Sequence, residues 1–303
     1  MSKLKVLELF GGIGACSKAL ERLGIDYEIA DYVEIDKYAV KSFNAIHNTN
    51  FEPQDICKWD KDIEVDLIMH GSPCQDFSLA GLGKGGDEGS GTRSSLMYET
   101  LRIVEKLRPK YVIWENVKNL LSKKHRHNFN AYLETMEQLG YANYYQVLNA
   151  KDYGIPQNRE RVFTVSILGN KNYEFPKKKE LEKLPIDLIE ENVDKKYDLT
   201  EKNIKHYQRE FGSKGKELNL YEPIPTLTAS MGTGGGNIPI FNNNLRIRKL
   251  TPKECWRLMG FDDDDFDKAA KVNSNTQLYK QAGNSIVVNV LEAILKNLLF
   301  DNK

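Results

Sequence analysis

The chain has 303 residues, and its 43 basic and 43 acidic side chains give it a formal net charge of zero. A neutral chain has no overall attraction for nucleic acid, although a basic face could still bind it. The sequence contains no apolar run of the roughly 20 residues that a membrane span requires, and its four cysteines lack the paired spacing of a disulfide framework or a zinc site. We therefore expect a cytoplasmic protein in a reducing compartment, with no membrane partner and no metal site.

Predicted strands and helices alternate along the first 168 residues. Apolar runs predict strands over 5–10, 27–33, 65–70, 111–114, 144–149 and 161–168, and helical spacing predicts helices over 14–23, 37–46, 96–107 and 128–139. The first strand starts so close to Met1 that no secretory signal is expected before it. Strands that alternate with helices predict an α/β fold with a doubly wound, mostly parallel sheet.

The composition changes at Gly169. Residues 169–245, called the middle segment below, are rich in Lys, Glu, Asn, Gly and Pro and show little periodicity, which predicts a smaller domain or a large insertion. A helix is predicted to begin after Thr251, because a proline follows it and Glu254 stands at the third helical position. The acidic run 262–265 is interpreted as a solvated loop, and a last helix is predicted over 286–299.

A glycine-rich turn joins the first predicted strand to the first predicted helix. Gly11, Gly12 and Gly14 would let a ligand approach the backbone beside the start of the helix. Glu34 ends the second strand, where a carboxylate can bind the hydroxyl pair of a ribose. The pattern therefore indicates a cofactor that contains adenosine. Ser17 occupies the place of a third glycine, so a structural turn with a surface glutamate stays an equal alternative on these residues alone.

A cysteine follows the third predicted strand, in the run Gly71-Ser72-Pro73-Cys74-Gln75. A thiol at the end of a strand is where an α/β enzyme would present a nucleophile. The alternative for an isolated cysteine is a small, buried hydrophobic residue.

Five short motifs that occur in a fixed order along the chain favour the nucleophile over the buried hydrophobic residue. Together they resemble the motifs of the DNA (cytosine-5) methyltransferases. The resemblance covers about residues 4–168 and 246–299 and weakens across 170–245, where that family carries its variable target-recognition region. The motifs are Phe10-Gly11-Gly12-Ile13-Gly14, Gly71-Ser72-Pro73-Cys74-Gln75, Glu115-Asn116-Val117, Gln157-Asn158-Arg159-Glu160-Arg161 and Gln281-Ala282-Gly283-Asn284-Ser285.

The resemblance implies a Rossmann-like methyltransferase fold made of two parts. Residues 1–168 plus 246–303 would form the catalytic and cofactor-binding domain, and residues 169–245 the target-recognition domain. The implied activity is methylation of the C5 carbon of a cytosine in a specific double-stranded DNA sequence. The target base would be flipped out of the helix, because an enzyme cannot reach its ring inside the stack.

The resemblance also assigns four catalytic residues. The Cys74 thiolate would add to C6 of cytosine, and Glu115 would contact the ring N3 and the exocyclic amine. Arg161 would lie near the cytosine O2, with Arg159 supporting the pocket. We expect the two arginines to point to opposite faces of their strand. The alternatives are a helix-capping role for Glu115 and a solvated position for the arginines.

The implied methyl donor is S-adenosylmethionine. The residues that match the family's cofactor site are Phe10, Gly11, Gly12, Gly14, Glu34, Ile35, Asp55, Ile56, Pro73, Asn284 and Ser285.

Two further segments are implied to bind DNA. Ser78 and Arg93 lie at the ends of the glycine-dense segment 78–93, which would close over DNA as a lid, with a plain surface loop as the alternative. Thr226 and Leu227 resemble the Thr-Leu pair of the family's recognition region. Basic residues in 118–127 are candidates for phosphate contacts. We expect a monomer in a prokaryotic or phage-infected cell, and a separately acting restriction endonuclease as its partner stays open.

Three other classes of protein are alternatives. A tRNA-methylating enzyme of the same fold typically has a second proline where Ser72 stands. A catalytically inactive DNA-binding relative would be expected to lack Cys74 or Glu115, and both are present. A nicotinamide-dependent dehydrogenase would explain the glycine turn and Glu34 but would leave the Pro-Cys and Glu-Asn pairs without a role.

Overall fold

The computed structural model describes residues 3–72, 96–169, 171–204, 217–233, 237–242 and 246–300. Their main feature is a six-stranded sheet with the strand order β2-β1-β3-β4-β7-β5. Its strands are β1 (Leu4–Leu9), β2 (Tyr27–Val33), β3 (Leu67–His70), β4 (Tyr111–Val117), β5 (Tyr141–Asn149) and β7 (Glu160–Leu168).

Shorter strands, eight α-helices and six short 3-10 helices complete the described structure. The short strands are β6 (Gln157–Asn158), β8 (Ile224–Pro225), β9 (Ile240–Asn242) and β10 (Ile247–Lys249). The described α-helices are α1 (Ala15–Arg22), α2 (Lys37–His47), α3 (Met97–Leu107), α4 (Arg126–Gln138), α5 (Pro252–Arg257), α6 (Asp263–Ala270), α7 (Asn275–Asn284) and α8 (Val288–Leu299).

The prediction of a doubly wound, mostly parallel sheet is confirmed. Strands β1 to β4 pair in parallel, and β7 pairs antiparallel with both β4 and β5. Strand β7 can run in the opposite direction because only the short stretch 150–159 separates it from β5, with no crossover helix between them.

Both faces of the sheet are covered, which explains the unbroken apolar runs in the sequence. One face presents Val6 and Met69 to a core that also contains residues of α1 and α8. The other presents Leu7 and Ile68 to a core that contains residues of α3 and α4. No helix in the described part of the chain is long and apolar enough to cross a membrane.

The strand order reverses at β1. The chain passes from β1 to β2 on one side, and β3 then pairs on the other side. The carboxyl ends of β1, β3 and β4 therefore lie at one edge of the sheet, next to the reversal. Ligands of open α/β sheets bind in the crevice outside such a point.

The middle segment shares a hydrophobic core with the sheet. Leu220, Ile224 and Leu227 belong to the same buried cluster as Val6 and residues of α8. The division of the chain at residues 168 and 246 stays a prediction.

The helix start at Thr251 is confirmed, with a reciprocal capping box. The Glu254 N–H donates to the Thr251 hydroxyl over 3.1 Å, and the Thr251 N–H donates to the Glu254 carboxylate over 2.7 Å. The interpretation of 262–265 as a solvated loop is wrong. The run begins α6, and Asp265 is 2% exposed because its carboxylate pairs with Lys18 Nζ at 3.1 Å. Acidic side chains also stabilise the amino end of a helix.

Candidate active site

The glycine-rich turn between β1 and α1 has a tightly constrained backbone. Gly14 caps α1 with a φ of 82°, and a Cβ there would lie 2.2 Å from Nε2 of His47. A Cβ on Gly11 would lie 2.6 Å from the Tyr32 ring. Gly12 has a φ of 56°, and among the described residues nothing lies within 4 Å of the position of its Cβ. The turn therefore requires glycine at these positions and leaves Gly12 open to a ligand.

Glu34 lies across the turn at the end of β2. Its carboxylate accepts hydrogen bonds from the N–H groups of Gly12, at 3.2 Å, and Asp36, at 2.8 Å. Burial raises the pKa of Glu34, and these hydrogen bonds oppose the shift. The neighbouring Ile35 is 70% exposed, so an apolar surface stands beside the carboxylate.

A cleft opens at the reversal of the strand order. It is lined by residues 10–13 of the turn, Gly71 after β3, Glu115 of β4, and Asn284 and Ser285 at the end of α7. The structure thus brings together residues that are far apart in the sequence, as the ordered motifs predicted.

Among the described residues, five predicted cofactor residues are not in the lining of this cleft: Gly14, Glu34, Ile35, Asp55 and Ile56. Asp55 and Ile56 lie next to Glu34. The N–H of Gln54 donates to the Glu34 carbonyl over 2.9 Å. The Asp55 carboxylate accepts from the Cys57 N–H over 3.1 Å, and Ile56 is buried. Their role in cofactor binding stays a prediction.

Glu115 and Arg161 form an ion pair at the cleft. Arg161 Nε lies 3.0 Å from Glu115 Oε1, and both side chains are largely buried. A Cβ on Gly71 would lie 3.6 Å from Glu115 Oε2, so the carboxylate faces the end of β3. Burial raises the pKa of Glu115, and the positive charges of Arg161 and Arg159 oppose that shift. The site therefore favours a proton on this carboxyl group more than water does.

The expectation that Arg159 and Arg161 point to opposite faces is wrong. Alternate residues of a strand share a face, Arg159 itself lies just before the first residue of β7, and the charges of both arginines act on Glu115. The Arg159 side chain is 4% exposed and donates to the backbone carbonyls of Leu227, Gly283 and Ser285.

Two side chains of β4 hold the last described residues before the cysteine. Trp114 Nε1 donates to the Ser72 hydroxyl over 3.0 Å, and Asn116 Nδ2 donates to the Ser72 carbonyl over 3.4 Å. The end of β3 is thereby fixed against β4, next to Glu115. Four predicted site residues lie outside the described residues: Pro73, Cys74, Ser78 and Arg93.

Thr226 and Leu227 contact the motif that carries the arginines. The Thr226 hydroxyl is exposed and donates to the Asn158 carbonyl over 2.6 Å. The Leu227 N–H donates to Oε1 of the buried Gln157 over 2.9 Å, and the Leu227 side chain is buried. Their role in DNA recognition stays a prediction.

Glu8 is a residue of the cleft that the sequence analysis missed. It lies in β1, lines the cleft and is 2% exposed. Its carboxylate accepts hydrogen bonds from the N–H and the hydroxyl of Ser17. The signal was available, because a glutamate interrupts the apolar strand Leu4–Leu9 just before the glycine turn.

A Glu8→Gln variant is expected to change the pH dependence of stability. Burial raises the pKa of Glu8 from 4.5 to about 7. Its protonation therefore stabilises the fold fully below pH 4.5, and this contribution is lost as the pH rises through 7. The shift corresponds to about 3 kcal/mol. Between about pH 5 and pH 8 the free energy of unfolding of the wild type should fall by about 3 kcal/mol because of Glu8. The glutamine variant should lack this part of the decrease.

Urea unfolding without cofactor at the two pH values measures this difference. Burial lowers the pKa of His47 to about 4 and that of His70 to about 3, but these groups are present in both proteins and cancel in the comparison. Glu28→Gln, at an exposed position of β2, serves as the control. Identical pH slopes for Glu8→Gln and the wild type would contradict the prediction.

The fold and the cleft together define an α/β protein with a cleft at the edge of its sheet, where the strand order reverses. Comparison with known proteins identifies the family. The model of the C-5 cytosine-specific DNA methylase family matches residues 4–299. The chain belongs to this family, and the resemblance stated from the motifs is confirmed.

Similar proteins come from bacteria and a phage. The Type II methyltransferase M2.ScrFI of Lactococcus lactis subsp. cremoris is 36% identical, covering 97% of this chain and 99% of the relative. The Type II methyltransferase M.Bsp6I of Bacillus sp. (strain RFL6) is 35% identical, covering 97% and 98%. The orphan methyltransferase M.SPBetaI of Bacillus phage SPbeta is 32% identical, covering 99% and 98%.

Solved structures share the fold at lower identity. The S. pombe Dnmt2 methyltransferase is 21% identical with a TM-score of 0.77, and 98% of each chain is covered. The Entamoeba histolytica methyltransferase EhMeth is 20% identical with a TM-score of 0.80, and the whole of both chains is covered. At this level of identity the likeness establishes the methyltransferase fold.

Proposed function

We propose that the protein methylates C5 of a cytosine in a specific double-stranded DNA sequence, through a covalent bond between Cys74 and C6 of the ring. The observation that carries this proposal is the buried pair of Glu115 and Arg161, in which the Glu115 carboxylate faces Gly71, three residues before Cys74 in the sequence. The Type II and orphan methyltransferases to which the chain is similar support the same activity.

The residues of the cleft fit S-adenosylmethionine. Gly12 is open beside the first helix, the Glu34 carboxylate lies next to it, and Asn284 and Ser285 supply polar groups from the opposite end of the chain. When bound, this cofactor supplies an electrophilic methyl group. We propose that Phe10, Gly11, Gly14, Ile35, Asp55, Ile56 and Pro73 complete its site.

The residues of the site would act in sequence on a flipped cytosine. The Cys74 thiolate would add to C6, and the electron pair of the C5–C6 bond would form the new bond from C5 to the methyl carbon, with S-adenosylhomocysteine as the leaving group. Glu115 contacts N3 and balances the charge that develops on the ring, and Arg161 contacts O2. Transfer of the C5 proton to a water molecule would then let the C5–H electron pair restore the C5–C6 double bond and expel the thiolate from C6. A free thiol titrates near ~8.5, so the site must favour ionisation of Cys74.

The proposed DNA contacts come from two segments of the chain, 78–93 and 226–227. Ser78 and Arg93 would close over the DNA, and the half-buried Thr226 would face it next to Asn158. We propose a monomer that acts either beside a restriction endonuclease or alone, as the names of Type II and orphan relatives illustrate.

A trapping experiment tests the covalent mechanism. Bisulfite sequencing of plasmid DNA from expressing cells first identifies the methylated sequence. A duplex with 5-fluorocytosine at that position, incubated with enzyme and S-adenosylmethionine, should remain bound to the protein on a denaturing gel, because fluorine cannot leave as a proton does. Cys74→Ala should form no such complex, while Cys57→Ser, which changes an exposed thiol, should form it normally.

Two outcomes would overturn the proposal. One is trapping of the Cys74→Ala variant at the wild-type level. The other is failure of the wild-type protein to form the complex with a duplex that it demonstrably methylates.

A further inference from the structure

The buried Arg159 side chain joins two segments that are far apart in the sequence. Its Nη1 donates to the Leu227 carbonyl over 2.8 Å. Its Nη2 donates to the carbonyls of Ser285, over 2.8 Å, and Gly283, over 3.1 Å. The latter two carbonyls lie at the carboxyl end of α7, where a cation satisfies backbone acceptors and is favoured by the helix dipole.

The middle segment lies directly on α7 at this point. A Cβ on Gly283 would lie 2.1 Å from the carbonyl carbon of Thr228 and 2.2 Å from the nitrogen of Ala229. A Cβ on Gly232 would lie 2.9 Å from the Thr276 carbonyl oxygen. The backbone around 228–232 therefore cannot shift against the helix without breaking this contact.

The same end of α7 forms a wall of the cleft. Asn284 and Ser285 line the cleft, and the carbonyl of Ser285 is one of the Arg159 acceptors. On the other side, Gln157 holds Leu227 as well, because its Oε1 accepts from the Leu227 N–H while its Nε2 donates to the Leu258 carbonyl over 2.8 Å. One hydrogen-bonded cluster thus connects the cleft wall with the segment that carries Thr226.

We propose that Arg159 is a positioning residue that couples the cofactor cleft to the DNA-contacting part of the middle segment. It fixes the position of Leu227 relative to Ser285. A cofactor that orders the segment around Ser285 therefore favours the binding of DNA at the segment around Leu227, and DNA in turn favours the binding of the cofactor. This inference rests on the proposed function. It differs from the role implied by the family resemblance, in which Arg159 supports the cytosine pocket.

Binding measurements test the coupling without the chemical step. Isothermal titration calorimetry gives the Kd of S-adenosylhomocysteine with and without the target duplex, and the Kd of the duplex with and without S-adenosylhomocysteine. In the wild type each ligand should lower the Kd of the other by the same factor. This factor should lie in the range of about 5- to 150-fold that is usual for coupled sites. In Arg159→Met the factor should fall to about one.

Two further variants separate coupling from a general loss of structure. Gly283→Ala keeps the arginine but places a methyl group against the Thr228–Ala229 backbone, so it too should reduce the factor. Arg257→Met is the matched control, because Arg257 also donates to a carbonyl of the middle segment, that of Leu188, over 3.0 Å, at a position outside the cleft lining. Its coupling factor should equal that of the wild type.

The outcomes distinguish this inference from the proposed function. A wild type that methylates the duplex but shows no coupling, or an Arg159→Met variant and a Gly283→Ala variant that both retain the wild-type factor, would overturn the role of Arg159 alone. A wild type that neither binds nor methylates duplex DNA would overturn both proposals.

Discussion

A Glu115→Gln variant is expected to transfer methyl groups about 10²- to 10⁴-fold more slowly than the wild type. The amide has nearly the shape of the carboxyl group, but it can neither hold the proton that burial favours on Glu115 nor pair ionically with Arg161. Single-turnover transfer from tritium-labelled S-adenosylmethionine to the target duplex measures the loss. The Kd of S-adenosylhomocysteine should change less than about threefold.

Glu160→Gln is the matched control for this loss of rate. Glu160 stands beside Arg161 on β7, but its carboxylate is exposed and pairs with Lys118 Nζ at 2.9 Å. Its removal should change the transfer rate only slightly. A Glu115→Gln enzyme as fast as the Glu160→Gln enzyme would show that Glu115 has no part in the reaction.

The position of the cleft could be predicted from the sequence because it depends on local patterns. The apolar runs that form β1, β3 and β4 are strong signals, and each is followed directly by a turn or by a polar residue of a motif. In a parallel sheet the carboxyl ends of the strands lie at one edge. Once the strands were assigned, Gly12, Gly71 and Glu115 had to lie near one another, and they do.

Contacts between distant segments could not be predicted in this way. Arg159 donates a hydrogen bond to Ser285, which is 126 positions away in the sequence, and the periodicity of the sequence does not indicate such a contact. The acidic run was misinterpreted for the same reason, since Asp265 is buried only because Lys18, 247 positions away, reaches its carboxylate. The opposite direction of β7 likewise depends on the length of the connection from β5 and not on the composition of the strand.

Glu8 shows a different limit of sequence reasoning. A charged residue in an apolar strand is detectable, but its meaning depends on which face of the strand it occupies and on what covers that face. In the structure Ser17 supplies two hydrogen-bond donors, so the carboxylate is buried with partners of the correct type. A pattern of one strand alone cannot distinguish this arrangement from an exposed side chain at the edge of the cleft.

The buried ion pair between Arg248 and Glu254 should have the largest effect on stability. Arg248 donates from both Nη atoms to the two carboxylate oxygens, over 2.9 and 2.6 Å, and the two side chains are 2% and 0% exposed. The guanidinium also lies over the Phe241 ring, 4.4 Å from its centroid. Arg248→Met would leave the carboxylate buried without its cation. We expect the free energy of unfolding to fall by about 3–5 kcal/mol.

Urea unfolding of a double-mutant cycle measures this effect. Adding Glu254→Gln to Arg248→Met removes the unpaired charge, although the amide oxygen can accept from only one of the N–H groups of Thr251 and Glu190, which bond to different carboxylate oxygens. Because an unpaired buried charge costs more than one lost hydrogen bond, the double variant should be more stable than Arg248→Met alone. Lys268→Met breaks an exposed pair with Asp264 and should cost at most about 1 kcal/mol. An uncompensated carboxylate in a dry interior is strongly destabilising. If Arg248→Met therefore lowers the free energy of unfolding no more than Lys268→Met does, the buried pair does not hold β10 to α5.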